Sequence, residues 1–512
     1  MNCRSTWMLS LAVGALSACG GGEGGGATAV PLTQASCEGM AASLGISQTT
    51  ITRSALVAKT DTVPEYCRVE GTIKPEDASN IKFALNLPTT TWNGRFLMLG
   101  NGGYAGGALP AGGQGLADGY ATAVTDTGHT STAATAFYNS RVTEIDYGYR
   151  AVHLTADSAK KAIAAAYSVG PKYAYFNGCS TGGRQALMEA QRYPTDFDGI
   201  VGGSPAADLT GLAMEQNWSL RQFYDNNFAG NIFGKLPLII NAVKAKCGDA
   251  EGLINSPAAC NFDVGTLACA AGQDPATCLT APQVTAVKRV YAGPSSSTGQ
   301  SWYPGKPFGS EVSWGTWIVA DSSNPARWSP AQGGFGFSFV NNLFFETDPP
   351  TTYQWFDFNF DTDPPKQAFM AAILNATNPD ISAYQKRGGK LLLYHGLADG
   401  LITWQRTVRY YNDVQTTLGA DAGRASSRLF LVPGMDHCDA VDRGGLSVAD
   451  WLAPMVTWVE SGVAPDSVPG TTRASNPVKF TRPVCAYPAA ATYKGTGSRS
   501  DAANWICSAA AG

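Results

Sequence analysis

Residues 173–184 read YAYFNGCSTGGR and place a short apolar run, Tyr173 to Asn177, directly before a Gly-x-Ser-x-Gly motif. The run is typical of a buried strand, and residues 184–192 after the motif are typical of a helix. Such a turn needs glycine on both sides of the serine, because side chains there would collide with neighbouring backbone. In a chain with 58 glycines the motif alone also fits an ordinary glycine-rich turn. With its flanking elements, it predicts a strained turn that exposes the Ser180 hydroxyl as a nucleophile.

Strand and helix patterns alternate on both sides of this motif, which favours a mostly parallel sheet covered by helices on both faces. The predicted class is therefore α/β, with an α/β-hydrolase fold. Strands are predicted at residues 81–87, 95–98, 120–124, 173–177, 390–394 and 428–432, and a helix at 150–168.

The sequence pattern changes between residues 206 and 385. Paired cysteines, Trp- and Phe-rich stretches and Asp-Pro turns replace the alternating strand and helix patterns there. We interpret this segment as a large lid domain inserted between the nucleophile and the catalytic acid. The predicted organisation is a signal peptide (1–18), a Gly-rich tether (19–30), a first part of the core (31–205), the lid (206–385) and a second part of the core (386–512).

The composition of the chain argues against nucleic acid as a partner and against a membrane-spanning segment. The chain has 44% hydrophobic and 15% charged residues and a net charge of −4. The sequence has no run of basic residues that would bind nucleic acid, and it has no stretch of 18 apolar residues that could span a membrane. We expect contact with a membrane only through an N-terminal lipid anchor.

The N-terminus predicts export. Arg4 is followed by an apolar stretch from Trp7 to Leu16 and then by Ala18-Cys19, the pattern of a secretory signal that ends in a lipobox. Cys19 is then a candidate for lipidation, and the alternative is ordinary cleavage after Ala18. The predicted location is periplasmic, on the cell surface as a lipoprotein, or secreted.

The cysteines agree with export, since ten remain after Cys3 and Cys19 are set aside and an even number in an exported chain favours disulfides. Sequence neighbourhood leaves Cys179 and Cys438 as the remaining pair. The local pairs that it suggests are Cys37–Cys67, Cys247–Cys260, Cys269–Cys278 and Cys485–Cys507.

Two residues downstream of Ser180 complete a candidate catalytic triad. Asp399 follows the strand at 390–394, and His437 follows the strand at 428–432, which is the chain order that an α/β-hydrolase requires. Ser180 would attack an acyl carbonyl, His437 would transfer the proton, and Asp399 would orient the imidazole. The alternatives are a turn-stabilising Asp and a structural loop His. We interpret the neighbouring Asp436 and Asp439 as solvated loop acids.

The two remaining cysteines flank this triad, because Cys179 precedes Ser180 and Cys438 follows His437. If Ser180 and His437 touch, the two sulfurs are well placed to bond and would tie the base to the nucleophile turn. The alternative is two buried thiols.

The oxyanion hole is predicted from two backbone segments. The N–H of Thr181 lies at the start of the helix that follows the motif. A second donor is expected from the glycine-rich stretch 100–104, where we favour Gly103 and then Gly102. The competing interpretation of this stretch is a tight turn without a catalytic role.

Several motifs together resemble the tannase and feruloyl esterase family, which also contains the hydrolase of mono(2-hydroxyethyl) terephthalate. The resemblance implies an α/β-hydrolase with an inserted lid, the same five disulfides, and hydrolysis of esters of aromatic acids without a catalytic cofactor. The motifs that carry it are Gly100-Asn101-Gly102-Gly103, Asp126-Thr127-Gly128-His129, Gly178-Cys179-Ser180-Thr181-Gly182-Gly183-Arg184, Tyr193-Pro194, Phe197-Asp198-Gly199-Ile200, Tyr394-His395-Gly396-Leu397-Ala398-Asp399 and Pro433-Gly434-Met435-Asp436-His437-Cys438.

The resemblance also implies further site residues. By position, His395 is expected to line the substrate pocket, with Trp317, Phe337 and Ser338 as the contribution of the lid.

A structural calcium loop in the lid is a further expectation from the family, although the matching stretch 247–255 is shorter and has fewer carboxylates. The alternative is a solvated loop held by the Cys247–Cys260 disulfide. The possible ligands are Asp249, Glu251, Asn255 and the backbone carbonyl of Leu253.

The choice of substrate depends on a missing arginine. In the terephthalate monoester hydrolases a lid arginine binds the free carboxylate, whereas the stretch 331–337 here has no arginine and only Arg327 lies nearby. This favours a neutral feruloyl or other hydroxycinnamoyl ester, with galloyl esters and terephthalate monoesters as alternatives. The alternatives from other classes are a non-catalytic ligand-binding surface lipoprotein and a serine peptidase or acyltransferase.

Overall fold

The computed structural model describes residues 29–224, 232–319, 333–439, 442–475, 477 and 479–509. The predicted signal peptide, Cys19 and most of the predicted tether lie outside the described residues, as does Arg327. Within the described part of the chain, no helix is both long enough and apolar enough to cross a membrane.

A central sheet organises the described residues, and the parallel α/β arrangement predicted from the sequence is confirmed. Its strands are β1 (Thr49–Val57), β2 (Tyr66–Ile73), β3 (Ile81–Pro88), β4 (Arg95–Leu99), β5 (Ala121–Thr125), β6 (Tyr173–Cys179), β7 (Gly199–Gly203), β8 (Lys390–Gly396) and β9 (Ser427–Val432). Their order across the sheet is β1-β2-β3-β5-β4-β6-β7-β8-β9. The ladders from β5 to β9 are parallel, whereas β1, β2 and β3 pair antiparallel.

Helices cover the sheet and form much of the segment between β7 and β8. They are α1 (Gln34–Ser43), α2 (Gly113–Ala117), α3 (Arg141–Ile145), α4 (Ala151–Tyr167), α5 (Thr181–Arg192), α6 (Leu209–Tyr224), α7 (Leu236–Cys247), α8 (Ala281–Ala292), α9 (Glu311–Trp317), α10 (Ser338–Asn342), α11 (Ala368–Leu374), α12 (Ser382–Lys386), α13 (Trp404–Leu418), α14 (Ala420–Ser426) and α15 (Leu452–Ser461). Two small C-terminal sheets contain β10 (Leu446–Ser447), β11 (Ser467–Thr472) and β12 (Thr481–Cys485), and β13 (Ala489–Tyr493) and β14 (Trp505–Ala509).

The segment between β7 and β8, which includes the predicted lid, has its own apolar core. Trp314, Leu343 and Phe344 are fully buried in it. The same cluster contains Leu401 and Ile402, which follow β8 in the main domain. Because one core includes residues from both parts, the lid helices are packed directly on the loop that carries Asp399.

All five disulfides predicted from the sequence are present. Four close local loops, and Cys179–Cys438 joins positions 259 residues apart with a Cα–Cα distance of 5.9 Å. The local bonds are Cys37–Cys67, Cys247–Cys260, Cys269–Cys278 and Cys485–Cys507.

The loop expected to bind calcium instead binds an arginine from β12. Arg482 is 1% exposed and forms ion pairs with Asp249, at 2.7 Å, and with Glu251. Arg499 also pairs with Glu251 at 3.0 Å, and Asp249 accepts a hydrogen bond from Asn255 at 2.8 Å. The guanidinium supplies the positive charge that these carboxylates need, and a calcium ion would be repelled by it. These residues therefore do not fit calcium.

The Leu253 carbonyl, a further expected ligand, accepts a hydrogen bond from the Asp249 N–H at 2.9 Å within the same loop. Among the described residues, no group of three or more His, Cys, Asp or Glu side chains is arranged to hold a metal ion. The short loop of the sequence is thus a closed, arginine-bound turn.

We expect a calcium chelator to leave the thermal midpoint of the protein unchanged. Arg482→Ala should lower the free energy of unfolding by about 3 kcal/mol, because it removes the buried guanidinium that pairs with both half-buried carboxylates and leaves Glu251 with Arg499 alone. Arg409→Ala, which removes an exposed ion pair with Asp413, is the matched control and should have little effect. Thermal melts with and without chelator measure the first effect, and chemical denaturation of the three proteins measures the second. A midpoint that falls on chelation and recovers on adding calcium would contradict the assignment.

Candidate active site

Ser180 lies in a strained turn between β6 and α5, with φ 64° and ψ −120°. The turn is possible because glycine backbones pack against one another beneath it. A Cβ added at Gly178 would lie 2.8 Å from Gly182, and one at Gly182 would lie 3.0 Å from the Asn101 carbonyl oxygen. The Gly-x-Ser-x-Gly spacing is therefore a requirement of close backbone approach, as the sequence predicts.

Asp399 follows β8 and is fully buried. Its Oδ1 accepts hydrogen bonds from the N–H groups of Leu401 and Ile402 at 2.9 and 2.8 Å. Its Oδ2 lies 2.8 Å from Nδ1 of His437 and 3.2 Å from Nε2 of His395. Burial alone would raise the pKa of Asp399, but the charge of His437 and the hydrogen bonds from both histidines hold the pKa well below its usual range.

His437 follows β9 and is 5% exposed. Because Nδ1 donates to Asp399, Nε2 is the nitrogen left to exchange a proton with a substrate-bound group. Nε2 lies 3.5 Å from Sγ of Cys438, whose disulfide to Cys179 brings the His437 loop to the Ser180 turn. Among the contacts of the described residues there is no hydrogen bond between Ser180 and His437. Such bonds are often long in ligand-free sites.

The backbone donors predicted for the oxyanion hole lie beside the serine. Gly103 and Thr181 line the same cavity as Ser180, and no described residue accepts a hydrogen bond from either N–H. The Gly103 carbonyl accepts hydrogen bonds from the hydroxyls of Thr181, at 2.6 Å, and Tyr147, at 3.0 Å. These bonds fix the glycine loop against the nucleophile turn. Gly102 faces a different, open cavity, so the geometry favours Gly103.

A small cavity opens at Ser180. Apolar side chains dominate its wall, and none of its described lining residues carries a charge. It is lined by Gly103, Tyr104, Tyr147, Ser180, Thr181, Ala206, Leu209, Leu212, Ala213, Gln216, Phe335, Phe339, Leu401 and Ile402.

His395 does not line this cavity, contrary to the sequence-based expectation. Its side chain is fully buried behind Asp399, where Nδ1 lies 2.8 Å from the Thr407 hydroxyl and Nε2 lies 3.0 Å from the Ile402 carbonyl oxygen. Because a carbonyl can only accept, Nε2 carries the hydrogen. His395 therefore donates toward Ile402 and Asp399.

The residues that the predicted lid contributes to the cavity wall differ from the expected ones. Phe335 and Phe339 line the cavity, whereas Phe337 stacks on Trp355 with ring centroids 4.1 Å apart. Ser338 lies behind the wall, with Oγ 3.4 Å from the Tyr104 hydroxyl. Residues 333–337 form a π-helical turn, and its wider repeat changes which side chains share a face.

Trp317 contacts the base and not the cavity wall. Its ring meets His437 edge to face at a centroid distance of 5.8 Å, and its Nε1–H donates to Oδ1 of Asp436 at 3.4 Å. Asp436 is fully buried and its Oδ1 also accepts from the His437 N–H at 2.7 Å, so it is not a solvated loop acid. Burial raises the pKa of Asp436. Asp439 is also engaged, by Ser447 and Arg473.

Comparison with known proteins agrees with this site. Residues 67–508 match the tannase and feruloyl esterase family. An uncharacterized esterase of Xanthomonas campestris is 33% identical, over 87% of this chain and 85% of the relative. The mono(2-hydroxyethyl) terephthalate hydrolase of Piscinibacter sakaiensis is 32% identical, over 87% and 85% respectively. The crystal structure of feruloyl esterase B from Aspergillus oryzae superposes with a TM-score of 0.81 and 27% identity, covering 93% of this chain and 100% of that chain.

The family match extends over most of the chain, and the structural match extends through both the sheet and the segment between β7 and β8. The chain belongs to the tannase and feruloyl esterase family and is a carboxylic ester hydrolase.

Proposed function

We propose that this protein is an exported serine esterase that hydrolyses esters of aromatic acids through an acyl-enzyme on Ser180. The observation that supports it best is the short path from Asp399 to His437 to the Cys179–Cys438 bond, which brings the base loop to the nucleophile turn. Asp399 is the acid that orients the base, and Thr181 and Gly103 are the oxyanion donors.

In this mechanism Ser180 Oγ attacks the ester carbonyl carbon while His437 Nε2 takes the hydroxyl proton. The carbonyl oxygen becomes an oxyanion that the Thr181 and Gly103 N–H groups stabilise, and His437 returns the proton to the departing alcohol. Water then attacks the acyl-enzyme, again with His437 as the base. The products are the free acid, the alcohol and regenerated Ser180.

The cavity wall favours a neutral aromatic acyl group. Its described residues are apolar or neutral, and two phenylalanines, Phe335 and Phe339, offer ring faces or edges for stacking. A carboxylate buried here would lose its hydration without an ionic partner. Neutral hydroxycinnamoyl esters such as ferulates, which we favour, and galloyl esters both meet this condition, whereas a terephthalate monoester does not.

Turnover of methyl ferulate, methyl gallate and a terephthalate monoester tests the function. We expect methyl ferulate to have the highest kcat/KM and Ser180→Ala to reduce its hydrolysis at least about a thousandfold, because the acyl-enzyme no longer forms. A stoichiometric acyl adduct on the wild type, trapped at short times and detected by intact mass, should be absent from the variant. Equal rates for wild type and variant on every ester would overturn the proposal.

His395 is a positioning residue in this mechanism, because it acts through Asp399. The carboxylate accepts hydrogen bonds from two backbone N–H groups and from His437, and Nε2 of His395, which donates to the Ile402 carbonyl, lies 3.2 Å from its Oδ2. These groups together fix the orientation of the carboxylate, and this orientation sets the plane of the His437 ring.

Replacing His395 by Ala should lower kcat about tenfold with a smaller change in KM, because Asp399 loses the N–H group that lies beside its Oδ2. The acid limb of the kcat/KM profile should move to higher pH, since a less compensated carboxylate holds the proton on His437 more strongly. His395→Gln, which restores an N–H donor, should recover part of kcat and shift the limb back. If the alanine variant is only less stable and its pH profile matches the wild type, His395 has no role beyond packing.

Export is supported by the five disulfides and by the signal pattern that ends at Ala18-Cys19. We expect the mature protein, expressed with its own N-terminus in a bacterium that processes lipoproteins, to begin at Cys19 and to exceed its polypeptide mass by acyl chains. Cys19→Ser should lose the additional mass. A mature chain that begins at residue 19 without acyl mass would retain export and exclude the lipid anchor.

A further inference from the structure

One polar side chain in the wall of the Ser180 cavity has no hydrogen-bond partner among the residues that the structure describes. Gln216 lines the cavity and is 3% exposed. Among the described residues, none forms a hydrogen bond with its carboxamide. Neither polar atom of this carboxamide is among the buried atoms without a partner, so both remain accessible from the cavity and can bind a group that enters it.

The other polar residues around Gln216 on α6 do have partners. Glu215 accepts from Ser219 and from Lys306, both at 2.6 Å, and the Asn217 amide donates to the Trp355 carbonyl at 3.0 Å. Oδ1 of Asn217 also has no partner among the described residues, but Gln216 is the polar side chain of this helix that lines the cavity.

Gln216 lies on the face of α6 that lines the Ser180 cavity. Ala206 lies next to Ser180, because its N–H donates to the Ser180 carbonyl at 3.1 Å. Helix α6 begins three residues later, at Leu209. Leu209, Leu212, Ala213 and Gln216 all line the cavity, and this spacing is one helical face. Gln216 lies seven residues beyond Leu209, or about 10 Å along the axis.

We propose that the Gln216 carboxamide binds the polar ring substituent of the acyl group, in the first place the phenolic hydroxyl of a hydroxycinnamoyl ester. This inference rests on the proposed function, in which the acyl group enters the cavity from Ser180. A carboxamide is neutral and both donates and accepts, so it matches a phenol, which does the same. The two carbons between carboxyl and ring in a hydroxycinnamoyl group carry its hydroxyl farther from Ser180 than in a galloyl group.

A pair of esters that differ in one group isolates this contact. Methyl p-coumarate and methyl cinnamate are identical except for the ring hydroxyl, and the ratio of their kcat/KM values reports the hydroxyl alone. We expect the wild type to favour methyl p-coumarate about fivefold to tenfold, the effect of one buried hydrogen bond. In Gln216→Leu and Gln216→Met, which keep the size and lose the amide, the ratio should fall to about one.

Gln114→Leu is the matched control, because Gln114 lies on the exposed surface of α2 and should keep the wild-type ratio. A wild-type ratio near one overturns the inference even if both Gln216 variants fail to fold. A wild-type ratio that persists in either folded variant overturns it as well. In both of these cases methyl cinnamate is still hydrolysed, so the proposed function stands. If neither ester is hydrolysed faster than by Ser180→Ala, the proposed function fails and this inference fails with it.

Discussion

The disulfide between Cys179 and Cys438 joins two backbone conformations that are each unfavourable alone. Ser180 has φ 64°, and Cys438 and Asp439 have φ 51° and 58°, in the left-handed region that residues other than glycine rarely adopt. The surrounding structure must therefore impose these conformations, and the covalent bond holds the two strained loops to each other. Because nucleophile and base meet across this bond, the site suits an oxidising compartment.

Asp399 is held in place by a chain of contacts that starts from residues between β7 and β8. Lys306 and Glu215 form a fully buried ion pair, and Lys306 also donates to the Leu401 carbonyl at 3.0 Å. The N–H of Leu401 in turn donates to Asp399. A buried ion pair is stable only when its geometry is well satisfied, so this pair fixes the loop that orients the carboxylate. The segment between β7 and β8 thus contacts the loop of the proposed catalytic acid and also contributes to the wall of the Ser180 cavity.

Features with a local cause were predictable from the sequence, and features that depend on packing were not. The strained turn at Ser180 follows from the steric need for glycine on both sides of the serine. The Cys179–Cys438 bond follows from the two cysteines that remain after local pairing. The role of His395 was missed because a histidine at a strand end gives no sign of which way its ring turns. The shift from Phe337 to Phe335 and Phe339 depends on a π-helical turn that has no sequence signature. The arginine bound at Asp249 comes from β12, far away in the sequence.

The distribution of charge explains why the cavity is neutral. The ionised groups near the site have partners outside the cavity: Asp399 lies beside two histidines, and Lys306 pairs with Glu215. The described cavity wall retains only backbone donors, hydroxyls and one carboxamide. In such a low-dielectric space a charge that develops on the substrate interacts strongly with the few fixed dipoles that point at it. A neutral ester enters this cavity without losing an ionic hydration shell. The oxyanion, which forms only during the reaction, is the charge that the backbone donors beside Ser180 are placed to stabilise.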